Sequence, residues 1–202
     1  MGNIVSGVDA SSACKASTVK CLVGNGIEFV GRYYSRTTQI QGKKITKKEA
    51  QTISNGGLQL VALYEDGPTD CEYFSASRGT ADAQGALQQA AAIGQPKGSA
   101  IYFTVDYDAA TDDIEGAIDE YFAAVASAIG SAYVVGVYGS GEVCAAITNA
   151  GYAKLAWLAQ SAGWSGYSRF TDWAIKQGPE QSVCGLNSDT DIAHGDYGGF
   201  TL

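Results

Sequence analysis

Carboxylates recur along this chain where short apolar runs end. Asp9 closes the run over 4–9, Glu65 the run over 58–65, Asp106 follows the run over 101–105, and Asp191 lies in a weaker run over 190–193. Asp106 and Asp108 stand two positions apart, so on extended backbone both side chains point the same way. Two carboxylates brought close raise the proton affinity of one, which then serves as an acid near neutral pH while the other stays ionised. Glycoside hydrolysis needs that division: one group protonates the leaving oxygen, and another charge stabilises the oxocarbenium-like state or activates water. Asp9, Glu65, Asp106, Asp108 and Asp191 are therefore the expected catalytic set, if the fold brings them to one cleft. The competing reading is a solvated acidic loop, with Asp108, Asp112 and Asp113 favouring the start of the next helix.

Aromatic residues lie near the same run ends. Tyr33, Tyr34, Tyr64, Tyr107, Tyr138 and Trp157 offer flat faces to sugar rings, with ordinary core packing as the alternative for each. Arg32 can pair a carboxylate or hold an acidic substrate group, and the Gln177 amide suits a sugar hydroxyl. Arg32, Tyr34, Tyr64, Tyr138, Trp157 and Gln177 are thus the expected substrate contacts. The single His, His194, excludes a multi-histidine metal centre. The acids around Asp106 lack the spacing and glycine of an EF-hand. No metal and no cofactor are expected.

The elements that must position these residues alternate. Strand-like runs cover 4–9, 29–34, 58–65, 100–107, 134–138, 155–159, 173–177 and 190–193, and helical patterns cover 12–24, 46–55, 79–93, 111–129 and 142–149. Asn25-Gly26 and Asn55-Gly56-Gly57 read as helix stops, and Thr46 with Glu49 has capping-box spacing. Repeated βα units imply parallel strands with crossover helices. The expected fold is α/β: one small (β/α)8 TIM-like barrel over 1–202, with shortened helices in the C-terminal third and an open doubly wound sheet as the alternative. Catalytic groups of such a barrel gather at the C-terminal ends of its strands. Gly139-Ser140-Gly141 lacks the flanking glycines of a nucleophile elbow and the Lys of a P-loop, and reads as a tight turn opening a helix.

Composition narrows the partners. The 202 residues carry 13 Lys+Arg against 21 Asp+Glu, a net charge of −8, and 46% are hydrophobic. That composition is globular, and its acidity argues against nucleic acid or an anionic membrane as partner. No apolar run is long enough to span a bilayer, and a monomer is expected. Five cysteines without a CxxC leave at least one thiol unpaired within the chain. Cys14 and Cys21, read on one helix, are too far apart to bond to each other. Most cysteines read as small buried residues, with one disulfide if the protein is exported. The N-terminus shows no signal peptide and weakly matches an acylation pattern at Gly2–Ser6.

Five stretches in order carry a resemblance that covers nearly the whole chain: Gly7-Val8-Asp9, Phe29-Val30-Gly31-Arg32-Tyr33-Tyr34, Ile101-Tyr102-Phe103-Thr104-Val105-Asp106, Gly136-Val137-Tyr138-Gly139 and Ala156-Trp157-Leu158-Ala159. Together they resemble a glycoside-hydrolase-like domain-of-unknown-function family, barrel relatives of the family-25 (Chalaropsis-type) muramidases. The resemblance implies a barrel and, by extension, a polysaccharide substrate in the glycan strands of peptidoglycan. It also implies delivery to the cell envelope, by secretion or another route. In those muramidases an Asp ends the first strand, a D-x-E motif ends a central strand and another Asp lies on the last. Asp9, Asp106 and Asp191 match, whereas Asp108 stands where the motif has Glu. The loss of one methylene, about 1.5 Å of reach, is enough to cost roughly a hundredfold in rate. Either Glu65 then supplies the acid, or the substrate sits closer to Asp108, or the barrel binds saccharide without cleaving it. A glycosidase acting on another polymer, such as chitin, is the remaining alternative.

Overall fold

The computed structural model describes residues 4–202, so Gly2 of the acylation pattern lies outside the described residues. Eight strands close into a barrel in chain order: β1 (Ile4–Asp9), β2 (Ile27–Tyr34), β3 (Gln59–Tyr64), β4 (Ala100–Thr104), β5 (Val134–Gly139), β6 (Leu155–Leu158), β7 (Ile175–Val183) and β8 (Leu186–His194). Among the described residues, five helices longer than a single turn lie outside it: α1 (Ala16–Gly24), α2 (Lys47–Asn55), α3 (Ala76–Ile93), α4 over 111–129 with a π turn at Ile114–Ile118, and α5 (Gly141–Asn149). Thr46 caps α2 by accepting the Glu49 N–H. Ser75 caps α3, which ends at Gly94 with φ +89°.

Each strand alternates between the barrel interior and the helix layer. Phe29, Leu63, Tyr102, Trp157, Ile175 and Ala193 pack together inside the barrel. Val30, Leu60, Tyr64, Phe103 and Val137 belong to the outer core with the helices. Both faces are buried, so alternation of apolar and polar residues does not reveal which side chains turn inward. Two glycines make room inside. A Cβ at Gly31 would stand 2.7 Å from both the Asp9 Cβ and the Trp157 ring, and one at Gly136 would run into the Tyr102 ring. At the end opposite the strands' C-termini, the Tyr197 ring lies 5.0 Å from Phe29. The Tyr102 hydroxyl donates to the Tyr197 carbonyl there, and Phe200 pairs with Leu60.

The barrel departs from the expected all-parallel pattern at its closure. β8 runs antiparallel to both neighbours, β7 and β1. The turn between β7 and β8 has two residues, Cys184 and Gly185, with φ +56° and +77°. Positive φ at both positions is the hairpin geometry usually marked by Asn-Gly, and a cysteine in the first place conceals it. Cys184 is bonded to Cys21 of α1, with 5.8 Å between their Cα atoms. Cys14 precedes α1 instead of sharing its helix, and Cys14 and Cys144 are buried free thiols. No helix fills the 159–174 connection between β6 and β7. Among the described residues, no helix is long and apolar enough to cross a membrane.

Candidate active site

A cavity of about 200 Å³ opens at the C-terminal ends of the parallel strands. Glu65, Asp106 and Asp189 face it from the ends of β3, β4 and the returning β8, with Tyr33, Tyr138 and Gln177 around them. Each follows from strand alternation: Tyr33 shares the inward face with Phe29, Glu65 with Leu63, and Asp106 with Tyr102 and Thr104.

Beneath the cavity lies Asp9, 2% exposed. Its Oδ1 accepts the Tyr33 hydroxyl at 2.5 Å and its Oδ2 accepts the Gln177 amide at 2.8 Å. The same amide reaches Asp189 Oδ2 at 3.3 Å, while Gln177 Oε1 accepts from the Tyr138 hydroxyl at 2.9 Å. Gln177 therefore joins three walls of the site. Gln160 donates to Asp189 Oδ1 at 3.2 Å. Deeper still, Asp191 Oδ1 accepts the Trp157 indole N–H at 3.1 Å, and Oδ2 has no partner among the described residues. Lys43, on the loop before α2, is ion-paired with Glu65 and lies 4.8 Å from the centre of the Tyr33 ring.

These surroundings raise proton affinity. Burial pushes the Asp9 carboxyl up to about 7, with Asp189 and Glu65 adding to the rise and the Tyr33 and Gln177 hydrogen bonds opposing it. Burial and the charges of Asp9 and Asp189 hold Asp191 well above the usual carboxylate range. Asp106 is raised by partial enclosure and by Glu65, with Lys43 acting the other way. Solvent nonetheless reaches Asp106 at the lip of the cavity, where a ligand would also meet it. Asp189 is raised by burial and by Glu180. The site thus holds carboxylates of unequal proton affinity, the condition for dividing acid and anion roles.

Among the residues expected from sequence, Glu65, Asp106, Tyr138 and Gln177 line the cavity, and Asp9 and Asp191 lie below it. Asp108 does not join them. β4 ends at Thr104 and the chain bends at Tyr107, between the two acids, so the extended geometry relating Asp106 to Asp108 is lost. Asp108 Oδ1 instead accepts the Ser165 N–H at 2.8 Å. Trp157 is fully buried between Tyr102, Tyr138 and Asp191, out of reach of a ligand at the mouth.

Arg32, Tyr34 and Tyr64 face the helix layer. Arg32 pairs with Glu49 at 2.8 Å and donates to the Ala10 and Gly42 carbonyls. Tyr34 donates to Gln95 at 2.6 Å. Tyr64 meets Arg36, Asp66 and Asp82. Sequence reasoning missed Lys43, Gln160, Trp164 and Asp189 and preferred Tyr34 to Tyr33. The spacing Phe29, Gly31, Tyr33 held the signal for Tyr33. Asp189 shares its strand face with Asp191, a usable signal once the direction of β8 is known.

The comparisons agree with this architecture. The chain is 32% identical to the uncharacterized protein YbfG of Bacillus subtilis (strain 168) over 211 residues, covering 94% of this chain and 29% of that protein. It thus spans less than a third of the length of the curated relatives it matches. Among solved structures it is similar to the Tat-secreted protein Rv2525c of Mycobacterium tuberculosis, with TM-score 0.83, 24% identity and coverage of 96% of this chain and 98% of that one. A muramidase from Acremonium alcalophilum follows the fold with TM-score 0.60 at 14% identity, covering 95% and 94% of the two chains. The modular autolysin LytC of Streptococcus pneumoniae, solved with a synthetic peptidoglycan ligand, does so with TM-score 0.61 at 12% identity, over 94% of this chain and 46% of that one. Residues 20–197 match the family described as Rv2525c-like, glycoside hydrolase-like domain, and the chain belongs to that family.

Proposed function

We propose that this domain is a glycosidase acting outside the cytoplasm on the glycan strands of peptidoglycan. The observation that carries the reading is the meeting of Glu65, Asp106 and Asp189 at one cavity over the buried Asp9. Asp106, accessible and with raised proton affinity, donates its proton to the glycosidic oxygen as its bond to the anomeric carbon breaks, and a water molecule then adds its oxygen to that carbon and returns a proton to Asp106. Glu65, paired with Lys43, and Asp189 present negative charge to the developing oxocarbenium-like centre. Tyr33, Tyr138 and Gln177 hold these groups in place, and the exposed side of the mouth orients the sugar. The likeness to a muramidase and to an autolysin solved with a peptidoglycan ligand supports the choice of polymer, and the Tat-secreted relative supports the compartment. Purified peptidoglycan incubated with wild type should release new reducing ends, and Asp106→Asn should not. No release by wild type removes the reading of a peptidoglycan hydrolase.

A second reading is a saccharide-binding barrel without hydrolysis. It is favoured by Asp108, which stands at the Glu position of the muramidase motif and is occupied with the Ser165 backbone. In that case Asp106→Asn leaves glycan pull-down unchanged. The same experiment on chitin tests the alternative polymer.

A further inference from the structure

The missing helix after β6 leaves a cleft on the outside of the barrel. Its volume is about 250 Å³, comparable with the mouth cavity, and it lies towards the opposite end of the barrel. Two alanines, Ala156 and Ala174, form its floor, so a ligand can approach the outer surface of the sheet closely. Trp173 and His194 stand at its wall as half-buried rings with centroids 4.6 Å apart, edge against face. Lys154, Asp172 and Asp196 supply charged groups at the rim.

We propose that this cleft is a second saccharide site that takes one neutral pyranose ring. A pyranose has an apolar C–H face suited to an indole and equatorial hydroxyls suited to carboxylate acceptors and an ammonium donor. Acids and a cation together on one rim favour a neutral polyhydroxy ligand over an anion, which Asp172 and Asp196 would repel. Such a site, remote from the mouth, would hold the domain on its polymer by a second, independent contact. The proposal shares the polysaccharide class of the reading above and requires no hydrolysis.

The chain's three tryptophans separate the two sites: Trp164 borders the mouth, Trp173 the outer cleft, and Trp157 is buried. Titration of the 15N-labelled domain with N-acetylglucosamine trimer, followed through the indole N–H resonances, should move the Trp173 signal saturably. Trp173→Ala should weaken binding at the cleft at least tenfold while the Trp164 response is unchanged. His194→Ala, a smaller truncation, should weaken cleft binding with the fold intact by circular dichroism. A Trp173 signal that stays still while Trp164 responds overturns the second site and leaves the mouth reading standing. A response of Trp173 without Trp164 supports the outer site and counts against saccharide binding at the mouth. If neither signal moves, the outer site is overturned together with binding of this saccharide at the mouth.

Discussion

Trp157 donates its indole N–H to Asp191 Oδ1 at 3.1 Å, deep inside the barrel, and leaves Oδ2 of the same carboxyl unpartnered among the described residues. A carboxylate so placed is costly to ionise, and Asp9 and Asp189 add repulsion. The pair Asp9 and Asp191 is therefore best accommodated with a proton in place.

That arrangement sets the pH dependence of stability. An unfolded Asp titrates near 3.9, whereas folded Asp9 is held at about 7. Between those values the native state binds more protons than the unfolded state, so stability falls as pH rises across that window. The contribution is fully present below about pH 4 and lost by passage through about pH 7, a change on the order of a few kcal/mol. Urea titrations at pH 5 and pH 8 should show the higher stability at pH 5. Asp9→Asn should flatten the difference, and an unchanged slope would refute the assignment.

Asp106→Asn should reduce glycan cleavage by about 100-fold or more, the scale expected when a general acid is removed. Asp108→Asn should change the rate only severalfold, because its carboxylate is occupied with the Ser165 N–H. Parallel rate measurements on the two variants decide between them: equal losses would return the acid role to Asp108.

Arg32→Met should destabilise the domain by about 3–5 kcal/mol, because it strands the buried Glu49 carboxylate. Adding Glu49→Gln should restore part of the loss, although the Cys14 N–H also donates to Glu49. Chemical denaturation of the single and double variants measures both. A negligible loss in the single variant would contradict a structural role for Arg32.

Cys21→Ser with Cys184→Ser should lower stability by about 2–5 kcal/mol, since the bond joins residues 163 positions apart. The melting temperature of wild type should fall correspondingly in reductant, and the double variant should not respond to it.

Much of the barrel was legible because its signals are local. Strand runs, Gly stops and the Thr46 cap specify elements independently of their partners, and acids at strand ends mark the mouth once a barrel is assumed. Side-chain direction was less legible. Both faces of β2 are buried, so Tyr33 and Tyr34 look alike in sequence although only Tyr33 turns inward. The closure was hidden by Cys184-Gly185, whose hairpin geometry lacks the usual Asn. Lys43 reaches Glu65, 22 positions away, only through a tertiary contact that no local spacing reveals.

The hairpin return of the last strand makes the site sensitive to register. Ser188, Thr190 and Ile192 alternate with Asp189, Asp191 and Ala193, so a slip of one residue against β1 would exchange the inner acids Asp189 and Asp191 for the hydroxyls of Ser188 and Thr190. By anchoring the hairpin tip to α1, the Cys21–Cys184 bond resists that slip. Oxidising conditions, which keep the bond closed, would then safeguard the alignment of the mouth acids as well as the fold's endurance.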